Sequence, residues 1–388
     1  MQKTKSTFYL IYCLVFITTI TEAITGYIQS SYLNRFLPLG YIGLFLSLVT
    51  IITLFASLGY PRLVRRYSTY RLTIITYFLA ILASFVMSAE TAPWLILTAF
   101  IIRYLSFIFI LINMDILLEN ISDDGCTGLI RTKYLTAMNI AWLISPILMS
   151  KIVGINNDYS KIYYIGGLIL MPALFLLIYK RRQLIDAKNH YHQQNIGKTI
   201  GQLIGHRDRR GIFLSSLSLQ FFYCLMNLYV PIYLHQTIGL SWLTLGLIFT
   251  VMLLPFVLIQ LPAGIIADKF IGEKEMLIAG NIIMIISVIA IFFAKTTNPI
   301  IWGALLFLSR IGAALAESMQ ETYFYKKIDS RDMALINLYR QNRPLGWLIA
   351  SLAAFTTLSF FNLPIIFLVL AGSLTIGLIP IMTIRDTR

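Results

Sequence analysis

Residues 92–118 read APWLILTAFIIRYLSFIFILINMDILL. Arg103 and Asp115 are the only charges in it. A helix that crosses a bilayer needs ~20 mostly apolar residues, and this stretch supplies them.

The rest of the chain repeats the pattern. Of 388 residues, 58% are hydrophobic and only 12% charged, with a mean hydropathy of +0.77. A soluble domain carries roughly a quarter charged residues, so water is the wrong solvent for most of this surface. Further apolar runs begin near Phe8, Pro38, Arg71, Arg131 and Lys161 in the first half, and near Gly211, Trp242, Glu275, Pro299, Asn337 and Leu363 in the second. With the run from Ala92 they predict twelve transmembrane helices in an all-α integral membrane protein.

The net charge of +14 raises nucleic acid as a partner. Its distribution removes that reading. Nearly all lysines and arginines fall in the two tails and in alternate loops, which is the positive-inside pattern. The opposite set of loops holds only Arg35, Lys151, Lys161 and Lys295, while Arg103 and Arg310 lie inside runs. Both termini are therefore expected in the cytoplasm, in a multi-pass cell (inner or plasma) membrane protein. Cys13, Cys126 and Cys224 form no disulfide framework or metal spacing, and no cofactor is expected.

One connection is long, from Lys180 to Arg210. It is strongly basic, with Asp186 and Asp208 its only acids, and suits an anionic leaflet. It divides the chain into an N-terminal bundle (1–179), a linker (180–210) and a C-terminal bundle (211–388). Gly197-Lys198-Thr199 ends like a phosphate loop, but His192 stands where the first glycine belongs and no strand precedes it. The two bundles echo one another. Gly43 matches Gly246, Asp115 matches Glu321, Leu129-Ile130 matches Leu335-Ile336, and Trp142-Leu143-Ile144 matches Trp347-Leu348-Ile349. Each pair is separated by slightly more than half the chain. A duplicated six-helix unit, giving two pseudo-symmetric bundles, is the architecture of two-halved carriers that hold solute near the midplane.

After the eighth run comes Gly264-Ile265-Ile266-Ala267-Asp268-Lys269-Phe270-Ile271-Gly272-Glu273-Lys274. This resembles the cytoplasmic-loop motif of the major facilitator superfamily, Gly-x-x-x-Asp-Arg/Lys-x-x-Gly-x-Arg/Lys, at the place of its second copy. The resemblance covers essentially the whole chain and implies alternating access by two lobes. It also implies a cytoplasmic gate built on Gly264, Asp268, Lys269, Gly272, Lys274 and Glu321. The first copy, Gly59-Tyr60-Pro61-Arg62-Leu63-Val64-Arg65-Arg66, departs from the family: Arg65 stands where an aspartate is expected. Its partners by analogy are Arg66, Asp115, Arg340 and Arg343. The same charges also fit ordinary solvated loops. The antiporter signature of the fifth helix keeps only Pro146, so the direction of transport is unmarked.

Ionisable groups at bilayer depth cost ~2.5–3.5 kcal/mol each, so they face a cavity or a partner. The first helix carries Thr18, Glu22, Thr25 and Gln29 at helical spacing. The fourth carries Arg103, Ser106, Ile110 and Asn113, the seventh Ser216, Gln220, Tyr223 and Asn227, and the tenth Arg310, Glu317 and Glu321. The first, fourth, seventh and tenth helices are those that line the cavity in the resembled family. Glu22 and Arg103 reach similar depth, which leaves two roles for Glu22: a proton-coupling carboxylate, or a static partner of Arg103 or of substrate. Arg310 and Glu317 fit either a local pair or solute contacts. Phe222, Tyr223 and Tyr323 are placed to touch solute or to pack.

These features predict a secondary active transporter, a monomer moving a small polar or amphipathic organic solute, with protons as the coupling ion if Glu22 titrates. An enzyme is disfavoured: His190, His192 and His206 crowd the linker and only His235 lies on the outer side. The alternative is a transporter-like protein with a sensor, assembly or lipid-flipping role, since fold does not dictate function.

Overall fold

The structure, a computed structural model, describes residues 2–89, 91–121, 127–184, 196–327 and 333–385. Among them there is no strand. The long helices are α1 (Gln2–Gly26), α2 (Leu39–Arg66), α3 (Thr69–Ser88), α4 (Pro93–Ile121), α5 (Thr127–Val153) and α6 (Tyr159–Tyr179). They continue as α7 (Arg207–Ile232), α8 (Trp242–Leu258), α9 (Glu273–Phe293), α10 (Pro299–Lys326), α11 (Asn342–Phe360) and α12 (Ile365–Thr383).

Eleven helices among the described residues are long and apolar enough to cross a membrane. The twelfth of the expected set, α11, is not among them. Ala350, Ser351, Ala353, Ala354, Thr356 and Thr357 make it small and hydroxylated rather than oily. Small side chains let helices approach closely where lipid offers no hydrophobic drive, and α11 packs along α7.

Local chemistry fixes the starts. Ser68 accepts the amide of Arg71 at 3.3 Å, Asp158 that of Lys161 at 3.1 Å, and Ser241 that of Thr244 at 3.2 Å. Asn298 caps α10, whose first residue is Pro299. Each cap satisfies an amide that has no partner inside its helix, and a proline costs nothing at that first position. Pro146, Pro172, Pro231, Pro255 and Pro380 lie inside helices, where neighbouring groups take up the freed carbonyls.

The chain forms two units, one of Met1–Tyr32 with Ile51–His192, the other of Leu33–Thr50 with Gln193–Arg388. The first part of α2 thus groups with the second unit, where Tyr41 packs on Phe355 with ring centroids 5.9 Å apart. Within the first unit α1 packs on α5 and α6, and α3 on α4 and α6. Within the second α7 packs on α11 and α12, and α9 on α10 and α12. The same pairings in the same order are what a duplicated six-helix unit requires. The tryptophans of the repeat take part in both. Trp142 stands edge-on to Tyr27 at 6.1 Å, and the carbonyl of Trp347 accepts from Cys224 Sγ at 3.7 Å.

One close crossing joins α9 to α10. A Cβ on Gly312 would lie 2.5 Å from the carbonyl oxygen of Gly280, and one on Gly280 2.8 Å from that of Gly312. No other residue fits either position without parting the helices.

Candidate functional site

In the first unit Arg103, on α4, is 7% exposed. Its Nε donates to Ser84 Oγ at 3.1 Å and its Nη2 to Thr25 Oγ1 at 3.1 Å and the Thr21 carbonyl at 3.4 Å. Its guanidinium carbon lies 4.5 Å from the Phe107 ring centroid and 5.2 Å from that of Tyr163. Glu22, half-buried on α1, lies within electrostatic reach. The cation is thereby held by hydroxyls, a carbonyl and two ring faces, which replace water around a group the bilayer would exclude.

The stripe expected on the first helix divides. Thr18 shares a 2.5 Å hydrogen bond with Tyr77 of α3, and Thr25 serves Arg103. Gln29 falls beyond Gly26, in the separate short helix Gln29–Leu33, and does not continue the α1 face. Asn113 is turned to α2, where its Oδ1 accepts from Tyr60 at 2.8 Å, and Tyr60 stacks on Phe109 at 4.1 Å.

In the second unit Arg310, on α10, is 3% exposed. Its Nη2 donates to Asn227 Oδ1 of α7 at 3.3 Å. Its guanidinium carbon lies 5.3 Å from the Phe222 centroid and 5.6 Å from that of Tyr223. The hydroxyl of Tyr223 donates to Glu317 Oε2 at 3.1 Å, so one tyrosine joins the buried cation to the half-buried carboxylate. Glu321, Arg343 and Arg310 act on Glu317 electrostatically. Gln220 is half-buried on the same helix as Asn227, its Cβ against Gly346 of α11.

The two arginines answer one another. Each sits on the fourth helix of its unit, over two aromatic rings, and donates to a side chain of the unit's first helix. Sequence patterning found the arginines but not Ser84, Tyr77, Tyr163 or Tyr60, which come from helices that carry no charge at that depth.

The motif between α8 and α9 places its residues unequally. Gly272 has φ +104°, a conformation open to glycine and strained for other residues. Gly264 has neither a positive φ nor an atom within 4 Å of a Cβ built on it, so the turn requirement expected of both glycines applies to one. Lys269 is exposed and Lys274 half-buried. The Asp268 side chain, like that of Arg65, lies outside the described residues. Arg66, Glu321, Arg340 and Arg343 are exposed, Arg340 acting electrostatically on Glu321, and Asp115 is half-buried.

Two close ion pairs among the described residues lie beside the expected ones. Glu273, 2% exposed, pairs with Lys326. Asp208, 5% exposed, lies 3.7 Å from Lys327 Nζ and accepts the amide of Arg385 at 3.0 Å. Both acids begin helices and both lysines end α10, so each charge also faces the favourable end of a helix dipole. Tyr323, expected either to touch solute or to pack, is fully buried and donates to the Arg385 carbonyl at 2.7 Å. It is a tie to the C-terminal segment. No sequence period marks these pairs, because their members come from different helices.

The described residues hold no group of three or more His, Cys, Asp or Glu arranged for a metal ion. The fold is similar to that of the nucleoside transporter NupG, with a TM-score of 0.75 at 14% identity over 98% of both chains. It is also similar to a bacterial homolog of the human lysosomal transporter Spinster, TM-score 0.69, 9% identity, over 98% of this chain and 93% of that one. A third similar structure is the peptide transporter POT in complex with sulfate, TM-score 0.73, 9% identity, over 97% and 92%. No curated protein matches the sequence. The Major Facilitator Superfamily model matches residues 11–350, most of the chain, and the protein, a multi-pass membrane protein built as a transporter, belongs to that superfamily.

Proposed function

We propose that the chain is a secondary active transporter that carries a small polar organic solute by alternating access, with proton coupling through a half-buried carboxylate. One observation carries the reading: Arg310, Asn227, Tyr223 and Glu317 form a connected polar cluster within the second unit. A packing role alone would be met by apolar side chains at lower cost, since a buried charge set is seldom more stabilising than its apolar replacement.

Glu317 is a stronger candidate than Glu22 for the proton site. Protonating it weakens the acceptor that orients Tyr223 and leaves Arg310 with one less negative neighbour, and a solute with an acidic or carbonyl group can then answer that cation. Glu22 beside Arg103 is the corresponding candidate in the first unit. We place both termini in the cytoplasm and the protein in the cell membrane on the charge distribution of its loops.

The test is flux in proteoliposomes of the purified chain under an imposed pH gradient. Nucleosides and short peptides head the solute panel, because transporters of that description share the fold. Gradient-dependent uptake or efflux by the wild type, lost in Glu317→Gln while the variant folds, supports the proposal. Gradient-driven flux that persists in Glu317→Gln removes the coupling role, and absence of flux for every class of organic solute removes the transport reading.

A further inference from the structure

We propose that the second unit binds an anionic phospholipid at the end opposite its Asp208–Glu273–Lys326 face. A cavity of about 500 Å3 opens there, where α9 and α11 end and α12 begins, with Tyr233 at its floor. That volume falls within the range of small-molecule sites.

Its lining joins two chemistries. Tyr233 is 3% exposed, whereas Phe293, Phe360 and Phe361 are 70%, 82% and 60% exposed. Phenylalanines presented outward at a helix end in a membrane protein meet acyl chains, because water would leave them uncovered. Against this apolar wall stand one cation, Lys295, and one amide, Asn362.

Electrostatics then selects the headgroup. The segments of this unit at that end, residues 33–38, 233–241, 294–298 and 361–364, contain Arg35 and Lys295 but no aspartate or glutamate. A choline headgroup would meet ring faces that attract its cation, but beside them the Lys295 ammonium that repels it, with no acid at this end to compensate. A phosphate diester with no compensating amine accepts from Lys295 Nζ and the Asn362 amide, while its acyl chains cover Phe293 and Phe360. The observations therefore fit a lipid that is anionic at its headgroup and apolar below. On the proposed orientation it belongs to the outer leaflet, but binding does not depend on that orientation or on transport.

The experiment uses the purified full chain in detergent, offered phosphatidylglycerol and phosphatidylcholine in equal amounts and read by native mass spectrometry and thermal shift. We expect phosphatidylglycerol to be retained about tenfold better, the size of effect that a charge-assisted hydrogen bond gives. Lys295→Ala should lose that preference with an unchanged lipid-free Tm, and Lys295→Arg should keep it. Phe360→Ala should weaken retention of both lipids. Equal retention of the two lipids, an unchanged preference in Lys295→Ala, or the same thermal shift from soluble glycerol phosphate would each overturn the proposal.

Discussion

The hydroxyl of Tyr223 lies 3.1 Å from Glu317 Oε2 while its ring lies 5.6 Å from the guanidinium carbon of Arg310. One side chain thus holds an acid by its polar tip and a cation by its face, and the two contacts are separable. Tyr223→Phe keeps the ring and removes the donor. We predict a stability loss of about 1 kcal/mol, the net worth of one hydrogen bond, read as a small fall in Tm. Solute flux should fall on the order of tenfold, because Glu317 loses the contact that orients it. Unaltered flux in Tyr223→Phe would confine the tyrosine to packing.

Arg103 answers Arg310 in the other unit, and its role separates from its bulk in a pair of substitutions. Arg103→Lys keeps a charge but cannot reach Ser84 and Thr25 together, since an ammonium lacks the planar fork that spans them. Arg103→Met removes the charge and keeps most of the volume. Burying an apolar chain is cheaper than burying a cation, but Glu22, Ser84 and Thr25 lose a partner, so Arg103→Met should fold with a lowered Tm. We expect both variants to lose transport of any solute the wild type carries. Wild-type transport in Arg103→Met would assign the arginine to structure alone.

These predictions mark where the sequence is legible and where it is not. Apolar runs locate helices because the bilayer demands length and oiliness, so the expected starts at Trp242 and Pro299 coincide with the helices found. Starts displaced by two residues, as at Tyr159 and Glu273, follow from Asp158 capping one helix and Gly272 turning into the other. Buried charges were legible because they are costly at that depth. Their partners were not. Ser84, Tyr77 and Tyr163 reach Arg103 and its neighbours from helices whose hydroxyls carry no charge to mark them, and the sequence alone does not say which of those hydroxyls meets the cation. Gln29 shows the complementary failure: a helical spacing ran on paper through Gly26, where the helix ends.

The crossing of α9 and α10 carries a stability prediction independent of transport. Gly312 lies against the Gly280 carbonyl so closely that a Cβ would stand 2.5 Å from it, and backbone cannot yield as a side chain can. Overpacking of this kind costs typically about 1–3 kcal/mol. Gly312→Leu should therefore lower Tm well beyond Gly303→Leu on the same helix, where a Cβ meets nothing within 4 Å. Equal Tm values in the two variants would contradict the close approach.

The pair of Glu273 and Lys326 ties the loop motif to the end of α10, and charge reversal distinguishes attraction from mere proximity. Glu273 is buried and Lys326 is 44% exposed at its side chain, so solvent screens one partner and reduces the worth of the bond. Glu273→Lys alone places two cations together at a buried helix start and reverses the dipole contact. We predict a loss of about 1–2 kcal/mol. Adding Lys326→Glu restores the ion pair but leaves both charges at the wrong helix ends, so the double variant should recover part of the loss and not all of it. A double variant no more stable than Glu273→Lys would show that the two side chains do not interact. Complete recovery would show that the pair acts without help from either helix.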